Sequence, residues 1–165
     1  MKRIQYFMMV ILCVFTVSIQ AKEWKTDNGK ITLDIPSGEK WMEEERPNAS
    51  FLLLQISADE SSKICIITIP NPQQRKLILK SLAKGAAKEV KGKVISYDTK
   101  KVNNIEVFET LVETNIFSET QVTLVRQLIF SLDKVIYKIM AIYPKQKSDF
   151  KSDIDTFMKS LKISN

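Results

Sequence analysis

The residues in this chain whose types and spacing most suggest a chemical role are four lysines spaced four positions apart, Lys76, Lys80, Lys84 and Lys88. Residues four apart lie above one another on an α-helix, so the four ammonium groups are expected to form one line. Such a line can bind an anionic surface, either lipid headgroups or an acidic protein, at roughly 1 kcal/mol per lysine near a charged membrane. The alternative is an ordinary solvated helix face.

A second candidate binding segment surrounds Trp41, which shortly precedes three consecutive glutamates, residues 43–45. An exposed tryptophan often anchors a protein interface, so this segment is a candidate partner-binding loop. In the alternative, the indole folds back onto the sheet and the glutamates are solvated. Three consecutive glutamates do not converge on one point, so no Ca²⁺ site is expected here.

The composition predicts no catalytic residue, no metal site and no cofactor. The sequence contains no histidine, which excludes Ser-His-Asp and Cys-His catalysis and zinc sites of the Cys/His type. Its four glycines have no phosphate-loop spacing. A hydrolase that uses carboxylates or a Ser-Lys pair needs no histidine, and it is the enzymatic alternative.

The first 21 residues have the pattern of a secretory signal peptide. Lys2 and Arg3 are followed by an apolar run over residues 7–17 and a short exit that ends at Ala21. This order of regions predicts cleavage after Ala21 and export to the periplasm or the extracellular space. The apolar run is shorter than the roughly 20 residues that a membrane-spanning helix needs, and an uncleaved anchor is the alternative.

Residues 22–165 are long enough for one domain with a proper core. They carry 23 basic and 19 acidic residues, a net charge of +4, which is too mixed for a nucleic-acid-binding protein. Cys65 is the single cysteine in this range and lies in an isoleucine-rich segment. We therefore predict that Cys65 is a buried apolar side chain, and that residues 22–165 contain no disulfide.

The hydrophobic pattern predicts an α+β domain with the order β-β-β-α-β-β-β-β-α and a mostly antiparallel sheet. The helix after the third strand begins near Asn71-Pro72 and ends at Gly92. The last helix turns one apolar face, from Phe150 to Leu161, towards the sheet. The seven predicted strands are Ile31–Ile35, Phe51–Ile56, Lys63–Ile69, Val94–Tyr97, Ile105–Glu113, Gln121–Phe130 and Lys134–Tyr143.

Three stretches resemble the PsbP-like superfamily, which also holds the Mog-type Ran-binding proteins and several small exported bacterial domains. They are the strand and turn over residues 31–41, the single long helix after the third strand, and the closing strand and helix that end in residues 158–163. The resemblance implies an α/β/α sandwich with a central antiparallel sheet. It implies no activity, because members serve as assembly factors, photosystem subunits, chaperones and partner-binding modules without shared catalytic residues.

Together these features predict a non-enzymatic, exported domain that binds a protein partner at the cell envelope, in an assembly, chaperone or accessory role. Two alternatives stay open: a histidine-independent hydrolase, and a module that binds an anionic membrane surface through the basic helix. No nucleic-acid partner is expected.

Overall fold

The computed structural model describes residues 22–47, 51–71, 73, 76–117 and 120–164. The two helices are α1, Lys76–Glu89, and α2, Ser148–Lys159. The strands are β1 Lys22–Lys25, β2 Ile31–Ile35, β3 Trp41–Pro47, β4 Phe51–Ser57, β5 Lys63–Pro70, β6 Lys93–Val102, β7 Ile105–Thr114, β8 Thr123–Leu132, β9 Val135–Pro144 and β10 Lys162–Ile163. The predicted signal peptide, residues 1–21, lies outside the described residues.

Seven strands form one antiparallel sheet in the order β3-β4-β5-β9-β8-β7-β6. A separate three-stranded sheet has the order β1-β2-β10 and is also antiparallel. The sheet therefore combines strands β3 to β5, which precede α1, with strands β6 to β9, which follow it. The pairing of β5 with β9 joins these two groups. The predicted, mostly antiparallel sheet is confirmed.

The two helices cover opposite faces of the large sheet, as the side chains of β8 show. Leu124 and Leu128 belong to the same apolar cluster as Ile154 and Phe157 of α2. Ile129 belongs to a second cluster with residues of α1. Because neighbouring residues of a strand point to opposite faces, the two clusters lie on the two sides of the sheet. The predicted α/β/α sandwich is confirmed.

The layer on the α2 side contains the small sheet as well as the helix. Ile31 and Leu33 of β2 are fully buried in the same cluster as α2. The predicted apolar face of α2 is confirmed, because Phe150 is almost completely buried and Met158 is completely buried. Leu161 follows the end of the helix but is still buried in this cluster.

The two strands at the edges of the large sheet differ from the sequence prediction. Residues 41–47 were predicted as a turn and loop, but they form β3. The predicted strand Val94–Tyr97 is only part of β6, which has ten residues. Both segments are rich in charged residues, which an edge strand tolerates because part of it faces water. Because β3 and most of β6 lack a regular spacing of apolar residues, a prediction based on that spacing does not recognise them as strands.

Two tight hairpins join β6 to β7 and β8 to β9. The turns Asn103-Asn104 and Asp133-Lys134 have positive φ at both residues, between 46° and 66°. Two consecutive residues of this kind form the type I′ turn, whose twist suits a two-residue hairpin. The adjacent predicted strands Gln121–Phe130 and Lys134–Tyr143 correspond to β8 and β9, and the turn between them is Asp133-Lys134.

An ion-pair network joins the sheet to α2. The Nε of Arg126 on β8 donates to Glu109 on β7 at 2.7 Å, and Lys100 Nζ donates to the same carboxylate at 3.0 Å. Arg126 also pairs with Asp155 on α2. Burial acts to raise the pKa of Glu109, but the hydrogen bonds from Arg126 and Lys100 prevail and hold that pKa below its usual range. The network therefore favours the charged carboxylate at neutral pH.

The end of α1 differs from the prediction in the role of its glycine. The amide of Gly92 donates to the carbonyl of Ala87 and that of Lys91 to the carbonyl of Lys88, which is a Schellman motif. The residue with left-handed φ, +46°, is Lys91 and not Gly92. Gly92 instead meets β7, where an added Cβ would lie 2.5 Å from the carbonyl oxygen of Glu113. At the other end of α1, Pro72, near which the helix is predicted to begin, lies outside the described residues.

We predict that Gly92→Ala destabilises the domain, because the new methyl group would overlap the backbone of β7. Overpacking of this kind typically costs about 1–3 kcal/mol. The matched control is Gly85→Ala, since a Cβ at Gly85 inside α1 would meet no atom within 4 Å. The control should stabilise the domain by roughly 0.5–1 kcal/mol. Urea unfolding of both variants measures the two effects, and equal stability of the variants would contradict the close approach of Gly92 to β7.

Candidate partner-binding surface

The lysine stripe, defined as Lys76, Lys80, Lys84 and Lys88, lies on α1 as predicted. The side chains of Lys80, Lys84 and Lys88 are exposed, and none of the three forms an ion pair within the described part of the chain. The side chain of Lys76 is outside the described part. Three ammonium groups on one helix therefore face solvent without a carboxylate partner.

The positive charge of residues 22–165 is concentrated around this stripe. Residues 76–93 contain six lysines and one glutamate, a net charge of +5, whereas the whole range 22–165 has a net charge of +4. The remainder of the domain is therefore close to neutral. The one glutamate, Glu89, pairs with the buried Lys138, so it does not neutralise the stripe.

The pair Glu89–Lys138 also shows which flank of α1 carries the stripe. Lys138 is on β9, so Glu89 marks the side of the helix that faces β9. Successive helix residues are rotated by about 100°, so Lys80, nine positions before Glu89, points about 180° away from it. In the strand order β9-β8-β7-β6, the side away from β9 faces β6. The middle of the lysine stripe therefore borders the outermost strand of the sheet.

The structure contradicts the prediction of an exposed anchor at Trp41. Its indole is only 7% exposed, packs edge to face against Phe150 with 5.2 Å between ring centroids, and donates from Nε1 to Asp153 at 2.7 Å. The alternative, in which the ring folds back into the domain, is correct. The physical reason is that a tryptophan buries a large apolar area once its N–H has a partner. Trp41 thus packs β3 against α2, and its indole is not available to bind a partner protein.

The described carboxylates give no support to a histidine-independent hydrolase. Asp59 and Glu109 have displaced pKa values, and both are lowered. The hydrogen bond from Lys147 is the largest cause for Asp59. A general acid needs the opposite displacement. Within residues 22–47, 51–71, 73, 76–117 and 120–164, no three acidic or cysteine side chains are placed to hold a metal ion.

Cys65 is buried, as the sequence predicts, with 3% of its surface exposed. Burial raises the pKa of its thiol to about 12, while the nearby charges of Lys138 and Lys63 act weakly in the other direction. Such a thiol is almost entirely protonated at neutral pH. Cys65 is therefore poorly suited to act as a nucleophile.

A row of side chains whose polar atoms are buried crosses the sheet beneath α1. Tyr97, Thr110 and Gln127 are neighbours across β6, β7 and β8. The Tyr97 hydroxyl, the Thr110 hydroxyl and both amide atoms of Gln127 have no hydrogen-bond partner among the described residues. The row separates the apolar cluster that holds Leu79 from the one that holds Val90. Helix α1 is thus attached to the sheet by two apolar clusters and not by one continuous core.

Two clefts lie at opposite ends of the large sheet in the described part of the chain. The larger, about 620 Å³, is lined by residues of both charge signs, among them Lys101, Glu106 and Asp133. The smaller, about 340 Å³, lies beside the half-exposed Phe117. Neither lining combines charge and shape in a way that defines a ligand.

Sequence reasoning missed the partners of the last helix. A polar face is all that the helical pattern predicts for Asp153 and Asp155. In the structure, Asp153 accepts a hydrogen bond from Trp41 and pairs with Lys40, while Asp155 pairs with Arg126. The signal that could have found them is their spacing of two positions, which places the two carboxylates on different flanks of the helix.

Comparison with known proteins shows the fold but no family membership. The sequence matches no protein-family model, and no curated protein matches it. Among solved structures, the cyanobacterial PsbP protein (CyanoP) of Synechocystis sp. PCC 6803 has a TM-score of 0.64 at 12% identity, with 90% of this chain and 96% of that chain covered.

Other similar structures have different biological settings. The Ran-binding protein Mog1p of Saccharomyces cerevisiae has a TM-score of 0.57 at 11% identity, covering 86% of this chain and 94% of that one. A protein of Bacteroides thetaiotaomicron VPI-5482 has a TM-score of 0.55 at 14% identity, and this chain spans only 50% of its length. The chain therefore has the fold of the PsbP- and Mog1-like proteins, which confirms the resemblance seen in the sequence at the level of the fold.

Another similar structure is LpqN of Mycobacterium tuberculosis, which is described as involved in cell envelope biogenesis. Its TM-score is 0.57 at 9% identity, and 87% of this chain and 90% of that chain are covered. Within the described residues, neither helix is long and apolar enough to cross a membrane.

We predict that Cys65 reacts slowly with a thiol reagent in the native state, because its pKa of about 12 leaves almost no thiolate at neutral pH. The measurement is the labelling rate of a protein spanning residues 22–165, in which Cys65 is the only cysteine. The same protein in guanidinium chloride is the control and should label rapidly. Native labelling as fast as unfolded labelling would show that the strand does not bury the thiol.

Proposed function

We propose that residues 22–165 form an exported, non-enzymatic domain that binds a protein partner at the cell envelope through the lysine stripe of α1. The observation that carries this proposal is the concentration of charge on α1, where Lys80, Lys84 and Lys88 are exposed without carboxylate partners. An uncompensated stripe of this kind attracts an acidic surface and raises the rate of association with it.

The structural neighbours support a binding role over a catalytic one. Mog1p is described as a Ran-binding protein, and LpqN as a protein of cell envelope biogenesis. Both have this fold, although the identities of 11% and 9% carry no site residue over to this chain. An accessory, chaperone or assembly role at the envelope is consistent with these two descriptions and with the signal-peptide pattern of residues 1–21.

A protein partner is favoured over a membrane surface by the orientation of α1. A helix that lies in a membrane interface buries its apolar face among the lipid chains. In α1 that face is already occupied, because Leu79, Ala83 and Ala86 are buried against the sheet. Lipid could therefore be held by charge alone, whereas an acidic protein could add shape and hydrogen bonds.

Export is the first part of the proposal to test. We predict that the protein recovered from the cell envelope or the medium begins at Lys22, because cleavage after Ala21 removes the basic and apolar segments together. N-terminal sequencing of the recovered protein measures this. An intact Met1 on a protein that needs detergent for extraction would show an uncleaved anchor instead.

The second test removes the charge of the stripe. We predict that changing Lys76, Lys80, Lys84 and Lys88 to glutamine abolishes partner binding and leaves the fold intact, because glutamine and lysine have similar helix propensities. Binding by the unchanged protein should weaken as salt rises, since exposed charges are screened beyond about 8–10 Å at physiological ionic strength. The measurement is quantitative crosslinking to envelope proteins at low and moderate salt.

A matched control changes four other exposed lysines to glutamine, namely Lys134, Lys151, Lys159 and Lys162. The control has the same net charge as the stripe variant and should crosslink like the unchanged protein. Equal crosslinking by both variants would refute a role for the stripe. If the stripe is needed only for sedimentation with anionic phosphatidylserine vesicles, the membrane alternative replaces the protein partner.

A further inference from the structure

Strand β6 has an open edge beside the lysine stripe. It is the last strand of the large sheet and pairs only with β7. No residue in the described part of the chain forms a backbone hydrogen bond with its outer side. At about 3.3 Å per residue, its ten residues present an edge roughly 33 Å long.

Most of this edge is regular enough to accept another strand. Its one bulge lies between Val94 and Ser96, near the start of β6. From Ser96 to Val102 the register with β7 is unbroken, and this run contains no proline. Proteins usually protect long edges with proline, bulges, charges or a covering segment. On this run, charged side chains are the protection that the sequence supplies.

On the side of the sheet that α1 covers, the charged residue of β6 between Ser96 and Val102 is Lys101. Residues of β6 and β7 that pair directly share a face of the sheet, so Lys101 and Thr99 lie on the same side as Glu106 and Phe108, the side that α1 covers. As derived above, Lys80 projects from α1 towards β6. A strand added next to β6 would therefore turn every second side chain towards the ammonium groups of α1.

We propose that β6 accepts an extended, acidic segment of the partner protein as an eighth strand of the sheet, with alternate carboxylates of that segment facing the lysine stripe. The inference rests on the proposed function, because it specifies how the partner protein binds beside the lysine stripe. Main-chain hydrogen bonds to β6 supply affinity, and the spacing of the carboxylates supplies specificity.

A second copy of this chain fits the edge less well than an acidic segment. Antiparallel pairing of two β6 edges places both α1 helices on the same face of the joined sheet, related by a two-fold axis. The two lysine stripes would then face one another across the new strand pair, and like charges in that arrangement repel. The charge that disfavours self-association is the same charge that favours an acidic partner.

The position of Ile163, beside the end of β6, allows a direct experiment with a tethered segment. The side-chain amide of Asn103, in the turn between β6 and β7, donates to the carbonyl of Ile163 at 3.0 Å. A segment attached after Asn165 through six Gly/Ser residues, which span roughly 13 Å, can therefore reach the end of β6. It would run along β6 towards Lys93, antiparallel to it. A short tether supplies an effective concentration in the millimolar range.

The probe is a tethered segment of four Glu-Val repeats, read out by residue-resolved amide exchange in β6. The expected result is that the amides between Ser96 and Val102 whose N–H groups point away from β7 exchange at least about tenfold more slowly. One control replaces each valine by proline, which keeps the charge, removes every second amide N–H and disfavours a paired strand. Another replaces each glutamate by lysine. Neither control should protect β6.

The amide-exchange measurement would overturn the proposal by showing unchanged exchange of β6 with the Glu-Val tether, equal protection by the lysine tether, or protection that survives changing the lysine stripe to glutamine. The experiment distinguishes failure of strand addition from failure of the proposed function. If the stripe variant loses partner crosslinking while the Glu-Val tether leaves β6 unprotected, the stripe binds the partner but strand addition is rejected. Dimerisation of the untethered protein through β6 in sedimentation would also reject an acidic partner strand in favour of a second copy.

Discussion

The fold depends on the burial of both faces of the central strands. In β8 and β9, successive side chains point to opposite sides, and Leu128, Ile129 and Ile139 are all fully buried. A sheet with two apolar faces must be covered twice, and the chain does this with α1 on one side and with α2 and the small sheet on the other. The lysine stripe follows from the same constraint, because α1 can turn only its outer surface to water. The ion pairs of Arg126 and the indole of Trp41 then fix α2 in place.

The sequence predicted well the parts of the fold that are buried. The long, β-branched strands from Ile105 onwards and both amphipathic helices are visible because burial requires apolar residues at fixed spacing. The edge strands β3 and β6 were missed or shortened because water contact relaxes that requirement. The short strands β1 and β10 carry too few residues to show a period, and only pairing with β2 makes them strands.

The candidate site was predictable only in part, for a related reason. Helical spacing alone places the lysine stripe, whereas the fate of Trp41 depends on a carboxylate more than a hundred positions away, Asp153. Long-range partners of this kind leave no local signal in one sequence. The role of Gly92 is similar: a terminal glycine suggests a left-handed residue, but the strand β7 packed against it is what requires the missing side chain. The fold by itself is compatible with many functions, so the charge distribution on α1 carries the functional argument.

The strand order also has a consequence for how the chain assembles. Strands β6 to β9 are joined by short connections and pair in sequence order, so they form a local unit with low loop-closure cost. The small sheet is the opposite case, since Ile31 of β2 pairs with Ile163 of β10, almost at the other end of the chain. During synthesis, β2 therefore exists long before one of its two partners. The early strands cannot complete their layer until Lys162 and Ile163 arrive, so β10 acts as the closing element of this small sheet.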